Sequence, residues 1–210
     1  MYYIVMDLEL NQPFHESGKT KQNPICRFEI MQIGAVKLDD EFRTVQTADF
    51  LVKPTLYKRI HPYVRKITKL SASALKNAET FPAVYEKLLR FIGPAEYVFC
   101  VWGGSSDIRD LYKNIAVNNL DAAAVSSEFI DVQAIASRFT NAPKGKSLGL
   151  GAAVEKLNIP VAAPFHNALH DAQYTAEILR LLKDEERTVQ SLNMETLWRT
   201  SGRKRRRQAP

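Results

Sequence analysis

Apolar residues in this chain form short β-branched-rich runs first, and then runs that alternate with helical periodicity. The first three runs are separated by loops or polar turns, such as residues 39–41, which is typical of an antiparallel meander. A later run is apolar throughout, as expected for a buried parallel strand. The pattern predicts five strands, Tyr2–Glu9, Phe28–Leu38, Thr44–Val52, Tyr97–Trp102 and Glu128–Val132.

Helical spacing of apolar positions begins after the third strand and continues to the end of the apolar sequence. Three strands followed by an alternation of helices and strands predict an α/β fold, a mixed five-stranded sheet flanked by helices. We expect one domain over residues 1–185, a C-terminal helix over 186–198 and a basic tail over 199–210. The predicted helices are short pieces in Val64–Leu75, one starting at Pro82, and Asp107–Val117, Ser147–Leu157, Leu169–Lys183 and Val189–Trp198.

Composition and charge limit the classes of protein to consider. The chain is 45% hydrophobic and 25% charged, which is ordinary for a globular protein, and no apolar run approaches the ~18 residues of a membrane span. The N-terminus lacks a signal-peptide pattern and there are two cysteines, so we expect a cytoplasmic protein without disulfides or membrane contact. Of the 29 basic residues, six lie after Trp198, and the other 23 balance the 23 acidic residues. The tail is predicted to be disordered, and binding of phosphates and simple solubilisation are equally good interpretations of it.

Two carboxylates follow the apolar part of the first predicted strand. Asp7 and Glu9 stand two residues apart, so they project from the same face of a strand. Burying both is costly unless a cation satisfies them. Mg²⁺ and Mn²⁺ prefer carboxylate oxygen, so the pair indicates a site for hard divalent ions.

Further candidate ligands come from two other regions of the chain. Asp107 stands at a predicted helix N-terminus, where a carboxylate is favoured. Asp171 opens a late helix, and His166 precedes it in a proline-marked loop, where a histidine can act as a general base near neutral pH. We interpret His170 as structural, and Asp131 as a helix cap rather than a ligand.

These motifs, taken together and in order, resemble a known family. The sequences DLE after an apolar strand, DIRDL after another, and HNALHDA at a late helix are similar to the three motifs of the DEDD exonucleases, and His-x-Ala-x-x-Asp-Ala to the DEDDh (DnaQ-like) branch. EIMQIGAVKLD and KSLGLGAAVEKLNI add to the likeness, which covers about residues 1–185. Within the branch, the chain most resembles the group of the three-prime histone mRNA exonuclease and KapD-related bacterial proteins.

The resemblance implies an RNase H-like fold and metal-dependent 3′→5′ hydrolysis of single-stranded nucleic acid, releasing nucleoside 5′-monophosphates. It implies two divalent cations, Mg or Mn, held by the carboxylates already named, with Asp7 bridging both ions and Asp107 on the second, and with His166 as general base. Asp110 is the alternative to Asp107.

We expect RNA as the preferred substrate and binding partner, with a DNA-preferring exonuclease or a non-catalytic regulator of the same fold as alternatives. The expected contacts to substrate are Leu10, Asn11, Met31 and Trp102.

Overall fold

A single mixed sheet organises the fold in the computed structural model, which describes residues 1–14, 21–143 and 145–197. Its six strands lie in the order β3-β2-β1-β4-β5-β6. Strands β1, β2 and β3 pair antiparallel, β4 pairs parallel with both β1 and β5, and β6 is antiparallel to β5. The strands are β1 (Tyr2–Asn11), β2 (Glu29–Leu38), β3 (Thr44–Leu51), β4 (Tyr97–Val101), β5 (Glu128–Asp131) and β6 (Val189–Ser191).

Helices cover both faces of the sheet. The helices are α1 (Pro62–Thr68), α2 (Ala72–Asn77), α3 (Phe81–Ile92), α4 (Ser106–Val117), α5 (Val132–Phe139), α6 (Leu150–Lys156), α7 (Ala168–Leu181) and α8 (Met194–Leu197), with a 3₁₀ turn at Ala122–Ala124. In the described part of the chain, no helix is both long and apolar enough to cross a membrane.

Alternation along the central strand β1 divides the core into two layers. Ile4, Met6 and Leu8 pack into the layer that contains α3 and α4. Tyr3 and Val5 point the other way, into the layer that contains α5, α6 and α7. Because side chains alternate along a strand, Asp7 and Glu9 continue the face of Tyr3 and Val5. The two carboxylates therefore lie on the side of the sheet that α7 covers.

The predicted mixed sheet with flanking helices is confirmed, but it has six strands instead of five. The expected helix over 189–198 is wrong in its first half, where Val189–Ser191 forms β6 and only Met194–Leu197 is helical. The cause is pairing between distant parts of the chain. Without β6, the backbone of β5 would form an unpaired edge of the sheet, and β6 pairs with it. The basic tail, 199–210, and Trp198 lie outside the described residues.

Candidate active site

The central strand presents two carboxylates at its carboxyl end. Asp7 pairs in register with Gly34 of β2, and Glu9 with Gln32. The register shifts between Glu9 and Leu10, as in a β-bulge. Bulges bend a strand locally and redirect its side chains, and this one lies immediately after the second carboxylate. Glu9 is buried, whereas Asp7 is partly buried.

The N-terminus of α7 rests directly on the neighbouring strand β2. A Cβ atom placed on Gly34 would lie 2.0 Å from the carbonyl carbon of Ala168, so only glycine allows this approach. Two residues away, buried Gln32 accepts a hydrogen bond from the Ala168 backbone N–H (3.2 Å) and donates one to Asp49 (2.7 Å). Gly34 and Gln32 thus fix the start of α7 beside Asp7 and Glu9.

The start of α7 carries the third carboxylate and the histidine. Asn167 caps the helix by accepting a hydrogen bond from the His170 backbone N–H (3.2 Å). His166 has φ 64°, a left-handed conformation that is uncommon for histidine, and its backbone N–H donates to Asp171 (3.1 Å). His170 Nδ1 lies 3.1 Å from the carbonyl oxygen of Pro164, which agrees with its interpretation as structural.

The fourth carboxylate lies in the first turn of the helix that follows β4. Gly103 and Gly104 both have positive φ, 95° and 71°, and turn the chain into α4 with Asp107 in its first turn. The backbone of Leu8 hydrogen-bonds to the Asp107 carboxylate. This contact ties Asp107 to β1 between its two acidic residues.

Asp110, the alternative ligand, lies one turn further along α4. Burial raises the pKa of Asp110 to about 6, and the positive charges of Lys113, Arg109 and Arg27 oppose the rise. By contrast, Asp107 is the largest electrostatic contributor to the raised pKa of Asp7. The contact of Asp107 with the Leu8 backbone and its effect on the pKa of Asp7 therefore favour Asp107 as the group that faces the cluster.

Mutual repulsion and burial shift the pKa values of the cluster upward. Burial, and then the charges of Asp107, Asp171 and Glu9, hold the pKa of Asp7 well above its usual range. Burial and then Asp171 raise the pKa of Glu9 to about 7, and burial and then the neighbouring acids raise that of Asp107 to about 8. The pKa of Asp171 is raised by burial, which the hydrogen bond from His166 partly offsets. Such a cluster binds either protons or cations.

The ligand geometry suits a metal ion. Glu9, His166 and Asp171 each offer a ligand atom within 4.8 Å of the others. The second oxygen of Asp171, Oδ1, is buried and has no hydrogen-bond partner among the described residues. A buried carboxylate oxygen without a partner is costly in a native structure, and a divalent cation would satisfy it. The residues of the site therefore fit metal.

Four residues that we expected to contact substrate have different environments. Met31 is fully buried against Val64 and Leu75, so its side chain supports the fold and does not reach a substrate. Asn11 is also buried, and its amide group bonds to the loop after β3. These two expectations find no support. Leu10 and Trp102 are both partly exposed. Leu10 packs against the core layer of α3 and α4, and Trp102 Nε1 is buried without a hydrogen-bond partner in the described part of the chain.

Sequence reasoning missed the residues that position the ligands. Gln32 and Gly34 lie in the EIMQIGAVKL segment of β2, and neither of them was assigned a role from the sequence. A glycine in the middle of an apolar strand is a signal of close backbone approach, and it could have identified Gly34. The predicted cap is confirmed: Asp131 accepts a hydrogen bond from the Ala134 backbone N–H (3.1 Å) at the start of α5.

Solved structures of nucleases have the same fold. The nuclease domain of 3′hExo, a DEDDh family member bound to rAMP, has a TM-score of 0.75 at 19% identity and covers 91% of this chain and 97% of its own. A 3′-exonuclease that recognises the histone mRNA stem-loop has a TM-score of 0.73 at 18% identity, and the match covers 92% of this chain and 71% of that chain. E. coli Exonuclease I in complex with a dA16 oligonucleotide has a TM-score of 0.68 at 16% identity, and the match covers 88% of this chain and 41% of that chain.

The comparison of sequences gives a second, independent result. None of the curated protein sequences compared with the chain matches it, but a family model does. The family model described as Exonuclease (RNase_T) matches residues 4–179, a span that includes all four carboxylates and His166. The chain therefore belongs to the exonuclease family.

Proposed function

We propose that the protein is a metal-dependent 3′→5′ exonuclease that removes nucleotides from single-stranded nucleic acid, with RNA preferred. The observation that carries the proposal is the convergence of Asp7, Glu9, Asp107 and Asp171 on one end of β1, with His166 at its rim. The residues come from three separate parts of the chain, namely β1, the start of α4 and the start of α7, and the fold brings them together.

The acidic residues would hold two Mg²⁺ or Mn²⁺ ions. Asp7 would contribute to holding both ions, Glu9 and Asp171 would hold the ion next to His166, and Asp107 would hold the other. When bound, such a pair of ions stabilises the attacking and leaving oxygens of an in-line displacement at phosphorus.

His166 is the group in the site suited to remove a proton from the attacking water. Its side chain is exposed, and its ligand atom lies within 4.8 Å of those of Glu9 and Asp171. The backbone N–H of His166 is anchored on Asp171, so the loop holds the imidazole at the edge of the acidic cluster. A histidine in this place can act as general base near neutral pH.

Leu10 and Trp102 are the proposed substrate contacts, since both are partly exposed and each adjoins a segment of the chain that carries a carboxylate. Leu10 follows Glu9 directly, and Trp102 begins the loop that carries Asp107. An apolar side chain and an indole offer surfaces for the sugar and base of the terminal nucleotide.

DNA is the alternative substrate, because the fold is shared with an enzyme whose structure was determined in complex with an oligodeoxynucleotide. A non-catalytic regulator is disfavoured by the electrostatics. Four acidic groups with raised pKa values destabilise a folded protein at neutral pH when no cation neutralises them. A binding module gains nothing from retaining such a cluster.

The test is digestion of matched RNA and DNA oligomers of one sequence, labelled at the 5′ end, with Mn²⁺. We expect stepwise shortening from the 3′ end, faster on RNA, with nucleoside 5′-monophosphates as products. Equal or faster shortening of DNA would replace the RNA preference with the alternative. Cuts at internal positions only would reject the exonuclease assignment.

A further inference from the structure

The segment that links β3 to α3 concentrates positive charge. Residues 53–76 contain seven basic residues and no acid, although the chain without its tail is neutral overall. The seven basic residues are Lys53, Lys58, Arg59, Arg65, Lys66, Lys69 and Lys76, and all are exposed. An overall neutral body thus contains a strongly basic surface.

Five of these side chains line one groove. Its volume is about 600 Å³, and its lining residues within the described chain include no acid. Phe14 also lines the groove, with its ring packed edge-to-face with His61 at 5.4 Å between centroids. We call it the basic groove; it is lined by Phe14, Lys53, Lys58, Arg59, Arg65 and Lys76 together with five apolar residues. Basic side chains beside an aromatic ring suit a single-stranded nucleic acid, whose phosphates they neutralise and whose bases can stack.

Hydrogen bonds fix this groove to the strand that carries the catalytic carboxylates. The Asn11 amide, two residues beyond Glu9, donates to the carbonyls of Tyr57 (3.3 Å) and Arg59 (3.1 Å) and accepts from the His61 backbone N–H (3.0 Å). A strand rises ~3.3 Å per residue, so Asn11 lies about 7 Å along β1 from Glu9. The groove therefore begins next to the acidic cluster.

A second anchor comes from β2. The buried carboxylate of Glu29 accepts hydrogen bonds from the backbone N–H groups of Thr55, of Leu56 (2.7 Å) and of Tyr57 (2.9 Å). The loop that carries Lys58 and Arg59 is thus held at both strands. A rigid basic surface next to the site can bind an extended strand without first having to become ordered.

We propose that the basic groove binds the phosphates of the nucleotides upstream of the scissile bond, as a single strand leaves the active site. This inference rests on the proposed function for its direction, because the 3′ end must lie in the acidic cluster. The anionic partner is single-stranded nucleic acid, since a strand that enters the site must cross an adjacent surface and this one is oppositely charged.

The experiment compares two double variants of the full-length protein. R65Q/K76Q removes two charges from the groove, and K66Q/K69Q removes two exposed charges from the same segment outside it. Binding of a fluorescent 20-nucleotide RNA is measured by anisotropy in EDTA over a salt series, so that no cleavage occurs. Melting temperatures of both variants check that the fold is intact.

We expect R65Q/K76Q to reduce the magnitude of the slope of log K against log[salt] by about 1.4, at ~0.7 per phosphate contact, and to weaken binding about 25-fold at 0.1 M salt. K66Q/K69Q is expected to bind as the wild type does. Cleavage of a dinucleotide, whose only phosphate is the scissile one, should be unchanged in both variants.

Three results would overturn the proposal. The first is an unchanged slope in R65Q/K76Q, and the second is an equal change in both variants. The third is loss of binding to phosphatidylserine vesicles by R65Q/K76Q with RNA binding intact, which would assign the groove to a lipid surface. Failure of the wild type to shorten any oligomer, with a reduced slope in R65Q/K76Q, would reject the exonuclease function and still support the groove as a strand-binding surface.

Discussion

The raised pKa values of the acidic cluster predict how the stability of the metal-free protein depends on pH. In EDTA, we expect the free energy of unfolding to fall as the pH rises from 5 to 8. The folded protein then keeps protons on Glu9 and its neighbours that the unfolded chain has already released, since unfolded acids titrate near pH 4. Stability decreases with pH wherever the folded state binds more protons.

Glu9 alone sets the scale of the effect. Its pKa is about 7, so the folded protein keeps an extra proton over most of the pH range from 5 to 7. Each pH unit over which one extra proton is held lowers the free energy of unfolding by about 1.4 kcal/mol. The loss is therefore about 3 kcal/mol. For a chain of this size, 1 kcal/mol shifts the melting temperature by roughly 2–4 °C, so a decrease of roughly 6–12 °C is expected.

The assay is thermal unfolding followed by circular dichroism at pH 5, 6, 7 and 8, in EDTA and in excess Mn²⁺. Mn²⁺ should restore most of the loss at pH 8 and little at pH 5, where protons compete with the metal. Asp7→Asn should flatten the decline, and Asp184→Asn, at an exposed position, should not. A melting temperature in EDTA that stays constant or rises between pH 5 and 8 would refute the reasoning.

The remaining predictions concern single residues and the tail. Asp7→Asn should abolish turnover with the fold retained, as kinetics and circular dichroism together would show. His166→Ala should lower kcat ~10²–10⁴-fold, whereas His170→Ala should change it little; the opposite order of the two in steady-state kinetics would misplace the general base. Gly34→Ala should destabilise by about 3 kcal/mol, the upper part of the range for overpacking, because its Cβ meets backbone; denaturant unfolding measures this, and a loss below about 1 kcal/mol would contradict the contact. Deleting residues 202–210 should reduce the magnitude of the salt slope for a long RNA by about 2–3, if three or four phosphates are contacted, and equal slopes would exclude contact with the tail.

Five of the strands and the position of the candidate ligand residues on them and on α7 could be predicted from the sequence because their signals are local. The alternation that buries Tyr3 and Val5 also places Asp7 and Glu9 on one face. Asp171 was found through its position in the first turn of a periodic helix, and the structure has that helix within two residues of its predicted ends. These features depend on neighbours in the sequence.

Other features depend on partners that lie far away in the chain. Val189–Ser191 is a strand because β5 offers it hydrogen bonds from about 60 residues earlier. Asn11 lies beside Glu9 and could have faced a substrate, but its amide bonds to the loop at Tyr57–His61 instead. Likewise, nothing local shows that Gly34 touches Ala168, which is 134 residues away. No pattern within a short window reports such contacts.

The position of the basic surface was hidden from the sequence for a different reason. A count over the whole chain places the excess in the tail, and the balance of the remaining residues conceals the basic segment at 53–76. Only the folded chain shows that five of those residues line one groove, and that this groove adjoins the end of β1. The distribution of charge over the surface, rather than its sum, bears on function here.

The central claim is that the acidic cluster at the end of β1 is a metal-dependent 3′→5′ exonuclease site. The most direct test is digestion of a 5′-labelled RNA of 20 nucleotides by wild type and Asp7→Asn, with Mn²⁺ and with EDTA, using a free and a blocked 3′ end. We predict a ladder of shortened products only for the wild type with Mn²⁺ and a free 3′ hydroxyl. The same ladder from Asp7→Asn, or from wild type in EDTA, would contradict the account.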